Sequence, residues 1–397
     1  MIWPANALPS KLPLEDIVLP SALDPGLYAT TRRPVMQAET LPPAAYTSRE
    51  FYDREVERIF MREWNFMGRA DHVPKPGDYV ALEYAGVPLI LSRDTQGTLH
   101  ALINSCRHRG SQVAEGEGNC RAFRCPYHSW VYDLDGRLLG ATEMDRTADW
   151  DPARYPLRSA RLETWGGFLF VSFNLGAPRL SEYLGDLPGK LESYRLEDMV
   201  CVRRKSYRIA CNWKLFVENA MEELHIPTVH RKTIQQNTPM ETHEPEEAHG
   251  QYCALFSTHE GTMALLKGDA GFPPIPTRRG KAATGTYFVM LYPSTMLGVT
   301  SDCMWYLELR PEGPADTVLI HGACFPTATV ARTDFQDVVQ GYFKRWETTT
   351  QEDIGASERQ QRGLSSPFSA RGRFSHHEVL VHEIDNWVLD RVLGPQA

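Results

Sequence analysis

The 397-residue chain has no run of eighteen apolar residues, which excludes a conventional membrane-spanning helix. Its first residues, Met1-Ile-Trp-Pro-Ala5, lack the basic region and apolar core of a secretory signal. Positive charge is short: 42 Lys and Arg stand against 50 Asp and Glu, and the formal net charge of −8 argues against a basic face for nucleic acid or an anionic membrane. Cysteine is sparse, eight residues at positions 106, 120, 125, 201, 211, 253, 303 and 324, without the dense spacing of a disulfide scaffold. A reducing, cytoplasmic compartment is therefore expected. No Gly-x-Gly-x-x-Gly turn follows a strand, so no nucleotide or flavin domain is expected in this chain. What remains is an ordinary globular composition, 42% hydrophobic and 23% charged, on a length that predicts two domains.

Two of the cysteines arrive with histidines. Cys106-Arg-His108 and, sixteen residues on, Cys125-Pro-Tyr-His128 each bring one sulfur and one imidazole to a short turn. Two thiolates on one iron and two imidazoles on the other describe a Rieske [2Fe-2S] centre. The same four residues are also a zinc set, although zinc fingers usually pair like with like. Gly110 permits a tight turn behind the first pair, while Tyr127, Ser129 and Trp130 offer hydroxyls to the sulfurs and an apolar cover. The other six cysteines read as buried thiols.

Residues 1–47 are rich in proline and leucine and read as an extended arm. Ser48 to Trp64 starts with a serine cap and repeats apolar residues at Tyr52, Val56, Ile59, Phe60 and Trp64, which predicts one helix. Short β-rich runs follow at 79–84, 87–92, 99–104, 129–133 and 167–173, giving a small antiparallel domain over 48–175. Asp78, Glu83 and Arg93 read as solvated strand charges. Residues 176–202 read as a polar connector opening a second domain, 176–397, with strands near 287–292, 304–309 and 317–321. The irregular stretch 233–285 is too long for a mere connection and reads as a lid or entrance.

A second chemical stretch runs from Asn212-Trp-Lys to His230. At 100° per residue Trp213, Phe216, Val217, Ala220 and Leu224 share one helical face, and Glu218, Glu222 and His225 gather on another. Pro227 is expected to end that helix and swing His230 back toward His225. A later helix from Thr333-Asp334 carries the stripe Phe335, Val338, Val339, Tyr342 and Trp346, to which Asp353 returns. A carboxylate on such a face is costly unless paired or bound to metal. Two histidines and one carboxylate form the facial triad of non-haem Fe(II) sites; solvated acids and ordinary core-edge histidines are the plainer alternative.

The sequence Cys-Arg-His-Arg-Gly, Cys-Pro-Tyr-His-Ser-Trp, Asn-Trp-Lys, Glu-Asn, His-x4-His and a late Glu-Asp helix resembles the catalytic α subunit of Rieske non-haem iron oxygenases over roughly residues 50–395. The resemblance implies an α+β fold: a small antiparallel β Rieske domain and a helix-grip catalytic domain with a large antiparallel sheet. It implies that Cys106, His108, Cys125 and His128 hold the [2Fe-2S] cluster, and that His225, His230 and Asp353 hold a mononuclear Fe(II). It further implies a head-to-tail homotrimer, with Glu222 as a bridging carboxylate between one subunit's His128 and the neighbour's His225; many members have aspartate there. Glu218 is expected to support the iron ligands. Leu224, in place of a frequent tyrosine, and Ala220, in place of a frequent aromatic, depart from the pattern. Electrons from NAD(P)H are expected through a separate ferredoxin and/or flavin reductase. The expected outcome is hydroxylation or N- or O-dealkylation of a small organic substrate, with aromatic cis-dihydroxylation as the alternative. A Rieske electron carrier without a substrate site and a zinc-stabilised binding module are the readings from other classes. Met221, Leu224, Tyr287, Met290, Trp305 and Phe325 are candidates for an apolar pocket, although such residues are more often plain core.

Overall fold

A computed structural model describes residues 21–236 and 243–395. Residues 1–20 of the expected arm and Asn237, Thr238 and Pro239 of the expected entrance lie outside the described residues. The strands are β1 Asn65–Arg69, β2 Asp78–Tyr84, β3 Val87–Arg93, β4 Leu99–Ile103, β5 Glu117–Asn119, β6 Phe123–Arg124, β7 Val131–Tyr132, β8 Leu138–Gly140, β9 Arg161–Trp165, β10 Phe168–Ser172, β11 Met199–Ile209, β12 His243–Glu246, β13 Tyr252–Thr258, β14 Gly285–Leu291, β15 Thr295–Val299, β16 Met304–Gly313 and β17 Asp316–Pro326. The helices are α1 Ala44–Thr47, α2 Arg49–Glu55, α3 Leu180–Leu184, α4 Leu187–Leu191, α5 Trp213–Asn219, α6 Ile226–Val229, α7 Thr327–Val330, α8 Phe335–Leu364 and α9 Val379–Val392. No described helix is long and apolar enough to cross a membrane.

Small antiparallel sheets in the orders β4-β3-β2-β5 and β6-β7-β8 carry the first pair of Cys/His loops, and β1-β10-β9 joins them to the rest. The second half is one seven-stranded antiparallel sheet in the order β11-β17-β16-β15-β14-β13-β12, crossed by α8. This is the expected α+β arrangement. Phe66 on β1 packs 5.0 Å from Tyr306 on β16, centroid to centroid, so the joining sheet shares its core with the large one.

Several expectations are corrected. Ser48 does cap α2, accepting from the Phe51 amide at 3.3 Å, but the helix widens to a π turn over Val56–Phe60 and stops there. Trp64 lies beyond it, beside β1. The 129–133 strand shrinks to β7, because a positive-φ turn at Ser129 still belongs to the preceding loop. The connector 176–202 is packed rather than polar: α3 and α4 bury Leu180, Tyr183, Leu184, Leu187 and Leu191, and β11 starts within it. The expected lid contains β12 and β13, and β13 is buried from Tyr252 to Ser257. An all-apolar strand has no alternation to betray it.

The Asn212-Trp-Lys motif turns out to be a structural clamp. Asn212 caps α5 by accepting from the Lys214 amide at 3.1 Å. Lys214 and Trp213 then both donate to Glu55 on α2, at 2.5 Å and 3.2 Å, in a fully buried pair. Burial alone pushes the Glu55 carboxyl above its ordinary pKa, and Lys214 counters it. Helix α5 ends at Asn219, so the expected helical face does not extend to Glu222 or His225. Pro227 starts the short helix α6 rather than ending one, and α6 returns His230 to within 5.1 Å of His225, ring to ring.

Candidate metal centres and substrate cavity

Two loops of identical frame present Cys106, His108, Cys125 and His128. In each, the cysteine amide donates to a carbonyl five residues on (Ser111, Trp130; both 2.8 Å) and its own carbonyl accepts four residues on (Gly110, Ser129). Gly110 and Ser129 both take positive φ, 80° and 55°, which turns the chain inside this span. The histidine Nδ1 atoms come within 3.1 Å of each other, at the protein surface. The sulfurs lie deeper, both cysteines being buried. The Tyr132 hydroxyl reaches Cys106 Sγ at 3.2 Å. Against burial, which raises it, amide N–H groups of His128 and Tyr127 and a Ser111 contact hold the Cys125 thiol below its ordinary pKa. The hydroxyls near sulfur thus come from Tyr132 and Ser111; Tyr127 is 58% exposed against His128, and Ser129 serves the turn. Trp130 does cover the site, stacked on His108 at 4.9 Å. Two inner sulfurs with amide donors and two outer Nδ1 atoms facing one point fit a [2Fe-2S] cluster.

The second constellation lies where α6 meets α8. His225 Nδ1 donates to Glu222 at 2.5 Å, and His230 Nδ1 donates to Glu352 at 2.7 Å. A carboxylate only accepts, so each ring keeps its proton on Nδ1 and turns Nε2 toward Asp353. His230 Nε2 lies 2.8 Å and His225 Nε2 3.6 Å from Asp353 Oδ1. The three ligand atoms fall within 4.8 Å of one another. Two acceptors at such range need a proton or a cation between them. Burial pushes the His230 imidazole down, but Asp353 and Glu352 outweigh it and raise its pKa. Asn219 Nδ2 steadies Asp353 Oδ1 at 3.1 Å. The donor set fits a divalent iron with histidine tautomers fixed by outer carboxylates.

Glu222 holds His225 Nδ1 with one oxygen and caps the Leu224 and His225 amides with the other. Glu218 does not reach the triad: its carboxylate accepts from the Tyr46 hydroxyl at 2.9 Å. Glu352, legible in the sequence only as the first member of the late Glu-Asp pair, is the group that orients His230. Its position beside Asp353 was the available signal.

A cavity opens from the triad across the large sheet. Its wall follows from register: Leu255, Phe288, Gly298 and Trp305 are successive cross-strand partners on one row, and Met296, Leu307 and His321 form the next. A Cβ at Gly298 would sit 2.3 Å from the Trp305 indole, so glycine lets that ring lie flat on the wall. Of the six sequence candidates only Trp305 lines this cavity. Met221, Tyr287, Met290 and Phe325 are core, and Leu224 is 38% exposed. Tyr287 and Phe288 differ by one residue and therefore face opposite sides of the sheet. Arg345, Thr349 and Thr350 on α8 close the cavity over the wall.

A model of the Rieske [2Fe-2S] domain matches residues 63–156, and one of the ring hydroxylating alpha subunit (catalytic domain) matches residues 196–394. The chain is 27% identical to the glycine betaine monooxygenase oxygenase subunit of Chromohalobacter salexigens, over 96% of this chain and 93% of that protein. It is 26% identical to the chloroplastic choline monooxygenase of Spinacia oleracea, over 89% and 79% respectively. Among solved structures it is similar to the quaternary ammonium Rieske monooxygenase CntA with L-carnitine (TM-score 0.76, 22% identity, 91% and 97% covered). Naphthalene 1,2-dioxygenase from Rhodococcus sp. gives a TM-score of 0.79 at 20% identity, with 94% and 100% covered. At these identities the two structures speak for the fold alone. The family matches, falling on the two halves that present these two donor sets, make the chain a member of the ring hydroxylating alpha subunits, Rieske oxygenases with a [2Fe-2S] domain and a non-haem iron catalytic domain.

Proposed function

We propose that this chain is the terminal oxygenase of a multicomponent monooxygenase acting on a small organic substrate, with N-dealkylation as the favoured outcome. Cys106, His108, Cys125 and His128 are assigned to the cluster, and His225, His230 and Asp353 to the iron, in domains spanning 48–175 and 176–397. The observation that carries the reading is the pair of histidines locked at Nδ1 by Glu222 and Glu352, with Nε2 turned toward Asp353 at the end of a largely apolar cavity.

When bound, the iron and the cluster supply the one-electron chemistry that side chains lack. The chain's own residues position and exclude. Glu222 and Glu352 fix the imidazoles, Asn219 fixes Asp353, and Phe288, Met296 and Trp305 keep water from the reacting C–H bond. The overall change is insertion of one oxygen atom: R–CH3, O2, two electrons and two protons give R–CH2OH and water. Where R ends in nitrogen, the hydroxymethyl group departs as formaldehyde.

The electrons come from NAD(P)H through a separate ferredoxin and/or flavin reductase. A homotrimer in which a second copy's His128 approaches Glu222 is supported by the surface position of His108 and His128, and by Glu222 lining clefts on both sides of His225. A cytoplasmic setting is supported by eight unpaired cysteines. Monooxygenation is favoured by the betaine and choline relatives; the apolar wall favours dihydroxylation of an arene as a second reading.

The test is an iron and sulfide count with EPR, before and after Asp353→Ala. About three irons per subunit and a rhombic Rieske signal, falling to about two irons with that signal kept, is the expected result. Two irons in both proteins would leave only an electron carrier. Product analysis under 18O2 then separates one incorporated atom with released aldehyde from a diol with two.

A further inference from the structure

Four Arg or Lys side chains are buried among the described residues: Arg69, Lys214, Arg310 and Arg345. Three have a carboxylate within reach, Arg69 with Asp71 at 3.1 Å, Lys214 with Glu55 at 2.5 Å and Arg310 with Glu308 at 2.5 Å. Arg345, 7% exposed, has none within 4.0 Å among the described residues. Its one hydrogen bond to another side chain goes to the Thr349 hydroxyl at 3.3 Å, and its guanidinium lies 5.3 Å over the Trp305 ring. It lines the cavity that runs to the iron ligands.

A buried cation without a partner is costly, and proteins avoid it unless something else supplies the counter-charge. The neighbours do so only in part: burial still pushes the guanidinium down to about 10, although Asp353 and Glu352 act on Arg345 from beyond 4.0 Å. His321, also on the cavity, is pushed down to about 3 by burial and by Arg345, so it stays neutral, and its buried Nε2 has no hydrogen-bond partner. Thr349 and Thr350 carry no charge, and the Thr349 hydroxyl already donates to the Arg345 carbonyl at 3.1 Å. A guanidinium and a residue with an unpartnered imidazole nitrogen, Arg345 and His321, therefore both line the cavity. Along α8, Thr349 precedes Asp353 by four residues, about 6 Å of rise, so this cluster stands about one helical turn from the metal end.

We propose that Arg345 is the specificity residue that receives the carboxylate of a small organic acid, holding its oxidisable C–H toward His225, His230 and Asp353. The inference rests on the oxygenase reading for what happens to that carbon, but the anion site stands on its own geometry. A planar guanidinium grips a carboxylate with two parallel hydrogen bonds, and Trp305 beneath it leaves an apolar or cationic remainder room on the wall. The corresponding alcohol cannot neutralise Arg345. A trimethylammonium alcohol adds a second positive charge to the cavity and is disfavoured further.

The probes are matched pairs: glycine betaine with choline, benzoate with benzyl alcohol, and 3-phenylpropanoate with 3-phenylpropanol. Binding to the iron-loaded protein is read by tryptophan fluorescence and calorimetry, which need no turnover. At least one carboxylate is expected to bind about ten- to a hundredfold more tightly than its alcohol. Arg345→Met should abolish that preference, and Arg345→Lys should restore part of it. Removing a buried charge with no carboxylate within 4.0 Å among the described residues should also leave the ligand-free Arg345→Met protein at least as thermostable as wild type, an outcome that a purely structural arginine would reverse. The proposal is overturned if no carboxylate outbinds its partner in the wild type, whichever member is bound, or if Arg345→Met keeps the preference. A protein that prefers carboxylates yet yields no O2-dependent product retains the anion site and refutes the oxygenase reading instead.

Discussion

Glu352→Ala should release the mononuclear iron without disturbing the cluster. Glu352 accepts from His230 Nδ1 and from the Thr233 hydroxyl, each at 2.7 Å, and both partners are buried, at 1% and 7% exposure. Truncation leaves a buried N–H unpaired, which costs about 1–3 kcal/mol. In the metal-free protein the imidazole can turn to recover a partner; with metal on Nε2 it cannot. The difference falls on metal affinity, and about ten- to a hundredfold weaker binding is expected. Glu352→Gln keeps an acceptor oxygen for Nδ1–H and should lose less. Iron per subunit is measured after dialysis against graded chelator, with the Rieske EPR signal of the same molecules as the control for folding. Wild-type retention of iron by Glu352→Ala, with the Rieske signal intact, would refute the claim that Glu352 holds the His230 tautomer.

Two further outcomes follow from named contacts. Tyr132→Phe removes the hydroxyl 3.2 Å from Cys106 Sγ; a lost donor to sulfur disfavours the reduced cluster, so its midpoint potential should fall by roughly 20–60 mV in protein-film voltammetry. Burial pushes the Glu218 carboxyl up to about 7, and burial together with Glu218 holds Asp385 well above the carboxylate range. An acid with a raised folded pKa stabilises the fold below its unfolded value, and that contribution is lost as the pH rises. Through Glu218 alone stability should therefore decline by roughly 3 kcal/mol between pH about 4.5 and about 7, read as Tm against pH; Asp385 steepens the decline, and Asp385→Asn should flatten it.

Where a feature depends on residues close in the chain, the sequence carried it. The Cys106/His108 and Cys125/His128 loops close through hydrogen bonds four and five residues apart, so their spacing already encoded the frame. The stripe on α8 and the cap at Ser48 were legible for the same reason. The hydroxyl donors at sulfur were not: Tyr132 lies 26 residues from Cys106, on a strand of two residues.

The tertiary structure decided the rest. His230 meets Glu352 across 122 positions, and only the packing of α6 on α8 chose Glu352 over the nearer Glu218. One strand register sent Phe288 into the cavity and Tyr287 away, a difference of one residue that composition cannot resolve. Periodicity gave Arg345 a place beside Trp346, near the buried stripe, yet whether a buried guanidinium has a partner depends on every element packed around it. The frames of the Cys/His loops were thus written in local spacing, while tautomer, cavity wall and the setting of Arg345 arose from contacts between segments far apart in the chain.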